Sequence, residues 1–166
     1  MHTLAGYMAG RNRVDEGSGV DSVCLPEDPV WGKYHDIDDS DASYRGYIYG
    51  TEVDTHDADG IFPYNVNEQD MPCAVCKTNK SINVMIPARN VCYQGWTEEY
   101  NGYLMAGSTH TKGHTHICLD GEPQFVPHGG TNDNEHIIYL IEGRCGSLSC
   151  PPYESGRELT CVVCSQ

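Results

Sequence analysis

Two CxxC units close the two halves of this chain, MPCAVCK with Cys73 and Cys76 and LTCVVCS with Cys161 and Cys164. Upstream of each, the same features arrive in the same order. LAGYMAG (4–10) matches YNGYLMAG (100–107), and VCLPEDP (23–29) matches ICLDGEP (117–123). YRGYIYGTE (44–52) loosely matches HIIYLIEG (136–143). A repeat with features in constant order constrains a fold more than any single motif. It implies two similar β-rich lobes, at about 3–76 and 99–164, joined by 77–98 and packed about a pseudo-two-fold axis. The chain has 166 residues, so both lobes share one compact domain over 1–166.

The local pattern makes those lobes all-β. Alternating apolar, β-branched and Tyr residues predict strands at 45–53, 81–87, 100–107, 135–142 and 159–164. HDIDDSDAS, GTNDNE and DTHDADG read as surface loops. Gly and Pro are scattered between short apolar runs, and no segment carries a helical stripe.

Nine cysteines among Gly-rich turns suggest an extracellular, disulfide-stapled domain. The odd count leaves at least one Cys free, paired between chains or without its partner. The formal net charge is −14, with only ten Lys plus Arg. That field repels phosphate, so nucleic acid and anionic membrane are not expected partners. No run is long enough for a transmembrane helix. MHTLAGYMAGRNRV lacks a basic n-region followed by an apolar h-region, so it does not read as a signal peptide. A mature secreted chain, or an added Met1, is the expectation.

CLPEDP, MPCAVC, VMIPARNVCYQGWTEEYNGYLMAG and CPPYESGRELTCVVC together resemble the non-collagenous C-terminal domain of sponge and other invertebrate short-chain collagens. The resemblance runs from about residue 4 to the end. More distantly, CAVC with C…GW…Y.GY is similar to the duplicated C-terminal non-collagenous domain of type IV collagen. There is no Gly-X-Y tract, so the chain is not itself a collagen. In subunit size it also resembles a sponge lectin built on this domain alone, which binds N-acetylglucosamine oligosaccharides. The resemblance implies the pairs Cys24–Cys73, Cys92–Cys164, Cys118–Cys161 and Cys145–Cys150. It leaves Cys76 as the orphan, whose partner would precede LAGYMAG. Each long loop so closed is expected to add roughly 3–4 kcal/mol. Two CxxC knuckles can also form a four-cysteine zinc site, but a zinc ribbon does not require the upstream CL cysteine that accompanies each knuckle here.

The function implied is a secreted lectin that binds N-acetylhexosamine oligosaccharides without chemistry. No cofactor is expected. Several sites per particle would come from a homo-oligomer, a trimer before a dimer. The competing reading is a collagen-related structural or oligomerisation module with no specific sugar site. A sugar site needs an aromatic face for the pyranose ring and polar groups for its hydroxyls. PVWGKYHDIDDSD supplies Trp31, Tyr34, His35, Asp36 and Asp38, although Trp31 is equally explained as packed under its own loop. The loops THTKGHTH and HGGTNDNEH supply His110, His114, Asn132, Asp133 and Asn134, with Tyr103 as a platform. Their counterpart in the first half carries no His, so the histidines are additions to one lobe: loop residues, sugar or interface contacts, or ligands of a transition metal.

DIDDSDASYRGY fails the register of an EF-hand, with Asp41 at position six and Tyr47 at position twelve. It reads as a solvated acidic turn. No GxSxG, HExxH or phosphate-cradling Gly loop is present. Glu98 and Glu99 would face opposite sides of a strand, so they make no hydrolase pair. An enzyme is not expected.

Overall fold

The computed structural model describes residues 3–33, 45–56, 58 and 60–166. Among them there is no helix, and ten strands form one sheet. In chain order they are β1 (Thr3–Gly10), β2 (Val23–Pro26), β3 (Tyr49–Asp54), β4 (Gln69–Asp70), β5 (Pro72–Cys76), β6 (Asn83–Pro87), β7 (Thr97–Ala106), β8 (Ile117–Asp120), β9 (His136–Leu140) and β10 (Thr160–Ser165). The fold is all-β and disulfide-bonded. Each of the five expected strands is present. β3 begins later than the alternation suggests, because Tyr47 and Ile48 are exposed and lie outside any strand.

The sheet runs β2-β1-β3-β9-β7-β10-β6, with β5 on β1, β4 on β3 and β8 on β7. β1 pairs antiparallel with β2, β3 and β5, while β7 pairs antiparallel with β8, β9 and β10. The registers correspond residue by residue. Gly6 lies opposite Pro26 and Cys73, and Gly102 lies opposite Asp120 and Cys161. Both positions must be glycine. A Cβ would fall 1.9 Å from the Leu25 carbonyl oxygen at Gly6 and 1.8 Å from that of Leu119 at Gly102. The AGY and NGY triplets of the repeat therefore mark one backbone crossing made twice.

Four disulfides hold this arrangement: Cys24–Cys73, Cys92–Cys164, Cys118–Cys161 and Cys145–Cys150. They are the pairs named above. Cys24–Cys73 and Cys118–Cys161 are equivalent, each tying the outer neighbours of a central strand across it. Cys76 is free and exposed at the end of β5.

The halves meet through β3 and β9, which run parallel. Tyr49 opposite Gly10 corresponds to Tyr139 opposite Ala106. Yet the residue facing Tyr139 across the junction is Asp54, five positions beyond Tyr49 (54 − 49 = 5). The slip sets Val53 beside Ile138 and Thr51 beside His136, all four buried. Register follows the buried faces, so the strands slide until these side chains match.

The core is lopsided. Val53, Phe62, Val66, Met71, Met105, Leu119 and Ile138 form one buried cluster, with Tyr103 and Ile117 packed against it. Phe62 and Val66 come from the connection between β3 and β4 and cover the β7–β8 face of the second half. Among the described residues, nothing equivalent covers the corresponding face of the first half, Tyr7, Val23 and Leu25. Tyr7 is 47% exposed and Leu25 38%, whereas Leu119, the counterpart of Leu25, is 8% exposed.

Candidate functional site

The slip of β3 against β9 leaves a cleft where the two strands end. Its volume is about 480 Å3. Tyr139 sits between Asp54 of β3 and Ala106 of β7. Asp54, Thr55, His56 and Ala58 form one wall, and Gly107, Ser108 and Thr109 the second. Leu140 and Ile141 extend the apolar lining, and Glu142, Arg144 and Glu158 stand at the far end.

Each wall has a local cause. Asp54 Oδ1 accepts from the His56 amide at 2.8 Å, which turns the chain sharply out of β3. The Thr55 amide donates to Asn67 Oδ1 at 3.0 Å and holds that turn against the start of β4. After β7, the Ser108 carbonyl accepts from the Thr111 amide at 3.3 Å. Glu142 and Glu158 form an isolated antiparallel bridge. Two carboxylates opposite each other repel, and Arg144 Nη2, 3.0 Å from Glu142 Oε2, offsets part of that. Burial, then the Asp54 carboxylate, pushes the Tyr139 hydroxyl above its usual value and keeps it a neutral donor. The cleft thus offers an aromatic ring, hydroxyls, a carboxylate and an ion pair to one ligand.

A second hollow of about 240 Å3 adjoins it and shares Thr55 and Ala58. Phe62 and Tyr64 give it two aromatic rings, with Pro63 between them in the chain. Tyr64 is held in place, its hydroxyl donating to the Pro123 carbonyl at 2.6 Å and its ring lying edge-on to Phe125 at 5.5 Å.

The described residues among those singled out from the sequence lie elsewhere. Trp31 is 84% exposed. Tyr34, His35, Asp36 and the Asp36–Asp41 turn lie outside the described residues. Tyr103 packs on the core, with its ring edge-on to Phe62 at 5.2 Å. His110 is exposed in the turn just past Thr109, and its amide donates to Ser108 Oγ at 3.3 Å. His114 is half-buried, with Nε2 3.3 Å from the Ile137 carbonyl and its ring 4.7 Å from that of His136. Asn132 is exposed. The Asp133 and Asn134 amides both donate to buried Glu52 Oε1 at 3.0 Å. His114 and Asn132–Asn134 therefore gather at the start of β9, while the cleft lies at its end. Among the described residues, no group of three His, Cys, Asp or Glu side chains is placed to hold a metal ion.

Asp54, Tyr139, Glu142, Arg144 and Glu158 were not singled out from the sequence. They are ordinary polar residues at strand ends, and only the β3–β9 register brings them together. No protein-family model matches this chain, and no curated protein and no solved structure matches it either.

Proposed function

We propose that this chain is a secreted, non-catalytic lectin that binds N-acetylhexosamine oligosaccharides in the cleft at the end of β9. The observation that carries the reading is the lining of that cleft. Tyr139 supplies an aromatic body, Ser108 and Thr109 hydroxyls, and Asp54 a carboxylate, in a half-open space of about 480 Å3. A pyranose presents an apolar face and a rim of hydroxyls, and such a lining answers both. The formal charge of −14 favours neutral sugars over sulfated or sialylated ones. Four disulfides fit maturation in an oxidising compartment.

A single shallow site binds weakly, so agglutination calls for several sites per particle. The Tyr7, Val23 and Leu25 face, which no described residue covers, supports a homo-oligomer, and the collagen resemblance makes a trimer preferred over a dimer. Its equivalent in the second half is core. The same face favours the second reading, a collagen-related assembly module without a sugar site.

Haemagglutination by the purified protein, inhibited with chitooligosaccharides and repeated in EDTA, tests the proposal. Inhibition that survives EDTA, together with loss of binding in Tyr139→Ala and retention in Trp31→Ala, is the expected result. A folded oligomer that neither agglutinates nor binds the sugars leaves the assembly module. Loss in Trp31→Ala alone moves the site away from the cleft.

A further inference from the structure

We propose that Asn79 is an acceptor for N-linked glycosylation, an inference independent of the sugar-binding reading. Asn79-Lys80-Ser81 is the chain's one Asn-x-Ser/Thr triplet, and its middle residue is not proline. The triplet lies in the irregular segment between β5 and β6, and all three residues are exposed. The segment is pinned by its backbone. The Lys80 amide donates to Thr78 Oγ1 at 3.0 Å, and the Ser81 and Ile82 amides donate to the Gln166 carbonyl at 2.9 and 3.1 Å. Neither the Asn79 carboxamide nor the Ser81 hydroxyl makes a hydrogen bond to another described residue. Both are presented outward, so a glycan on Asn79 displaces no contact of the fold.

The compartment fits as well. Four disulfides form where oxidation is supported, and in eukaryotes that lumen also holds the transferase. The donor required is a lipid-linked oligosaccharide diphosphate. The Asn79 amide nitrogen attacks the anomeric carbon, an N–C bond forms, and the C–O bond to the diphosphate breaks. The lipid diphosphate leaves, and the amide proton passes to a base of the transferase. Nothing is oxidised or reduced.

The position also has a structural use. Among the described residues, β5 pairs only with β1, and β6 only with β10. Asn79 lies between these two open edges, where a bulky hydrated glycan opposes edge-to-edge association.

The test is the intact mass of the chain secreted from eukaryotic cells, before and after peptide N-glycosidase, with peptide mapping. One N-glycan is expected, with Asn79 converted to Asp on its removal. Asn79→Gln and Ser81→Ala should each abolish the modification, and Ser81→Thr should keep it. These positions are exposed, so the variants should be secreted with the four disulfides intact. A secreted, disulfide-complete wild type whose Asn79 peptide is wholly unmodified overturns the proposal, as does a glycan that persists in both Asn79→Gln and Ser81→Ala.

Discussion

At the scale of single residues, His136 shows how a polar group is accommodated in this core. It is 1% exposed. Its Nδ1–H donates to the Arg11 carbonyl at 2.7 Å, which leaves Nε2 to accept from the Ser22 hydroxyl at 3.3 Å. Gly10 makes room for the ring, since a Cβ there would lie 2.4 Å from Nε2. Burial first, then the charges of His114 and Arg11, lowers the His136 pKa to about 4. In the unfolded chain its pKa is near 6.5. As pH falls below 6.5, the unfolded chain therefore takes up the proton first. Stability contributed by the neutral ring is present above that pH and lost progressively down to about pH 4, on the order of 2–3 kcal/mol. Glu52 and Asp70 act in the opposite sense. Burial raises both, so protonation in acid relieves part of their cost in the fold. The difference between wild type and His136→Gln isolates the imidazole. The variant should melt lower at pH 7, with a visibly smaller loss between pH 6.5 and 4.5. Equal slopes for the two proteins in thermal melts across that range would rule out this account.

At the scale of elements, the disulfides differ in how much chain they close. Cys118–Cys161 spans 43 residues and ties β8 to β10 across β7. Cys145–Cys150 spans five residues in the loop after β9. Loop-entropy scaling assigns about 4 kcal/mol to the first and about 2 kcal/mol to the second. Cys161 is fully buried, whereas Cys145 and Cys150 are exposed, so packing loss widens the gap. Denaturant midpoints of the two double-alanine variants should rank in that order, with Cys118→Ala/Cys161→Ala much the weaker. An equal or reversed ranking would mean that loop closure does not govern what these bonds contribute. The equivalence of β1 and β7 was legible in the recurring glycine and cysteine positions, although β1 is not among the strands the alternation predicts. The offset between β3 and β9 was not, because it depends on which side chains of two distant strands fill one core.

At the scale of the whole molecule, the two halves are alike in pairing and, among the described residues, unlike in cover. The β3–β4 connection of the first half reaches over the second half and buries Leu119 and Met105. The first half keeps Tyr7 and Leu25 at the surface. If that face joins copies, Tyr7→Lys with Leu25→Glu should shift the sedimentation profile to monomer. On the proposed lectin reading, such a variant should stop agglutinating while binding a single chitooligosaccharide nearly as tightly as wild type, because the cleft is built from other strands. An unchanged sedimentation profile would place the assembly surface elsewhere. No helix of the described residues is long and apolar enough to cross a membrane.

The sequence by itself determined the strand class, the doubled pattern of glycines and cysteines, and a charge that disfavours nucleic acid. These are local or additive properties, written in spacing and residue type. Only the tertiary structure decided the cleft. His114 and Asn134 come together only at the start of β9, where one turns to the Ile137 carbonyl and the backbone amide of the other is held by Glu52. Tyr139 and Asp54 are 85 residues apart (139 − 54 = 85), and no motif links them along the chain. The five-residue slip that sets them side by side comes from burying Val53, Ile138, Thr51 and His136 together, and that packing preference has no signature along the chain.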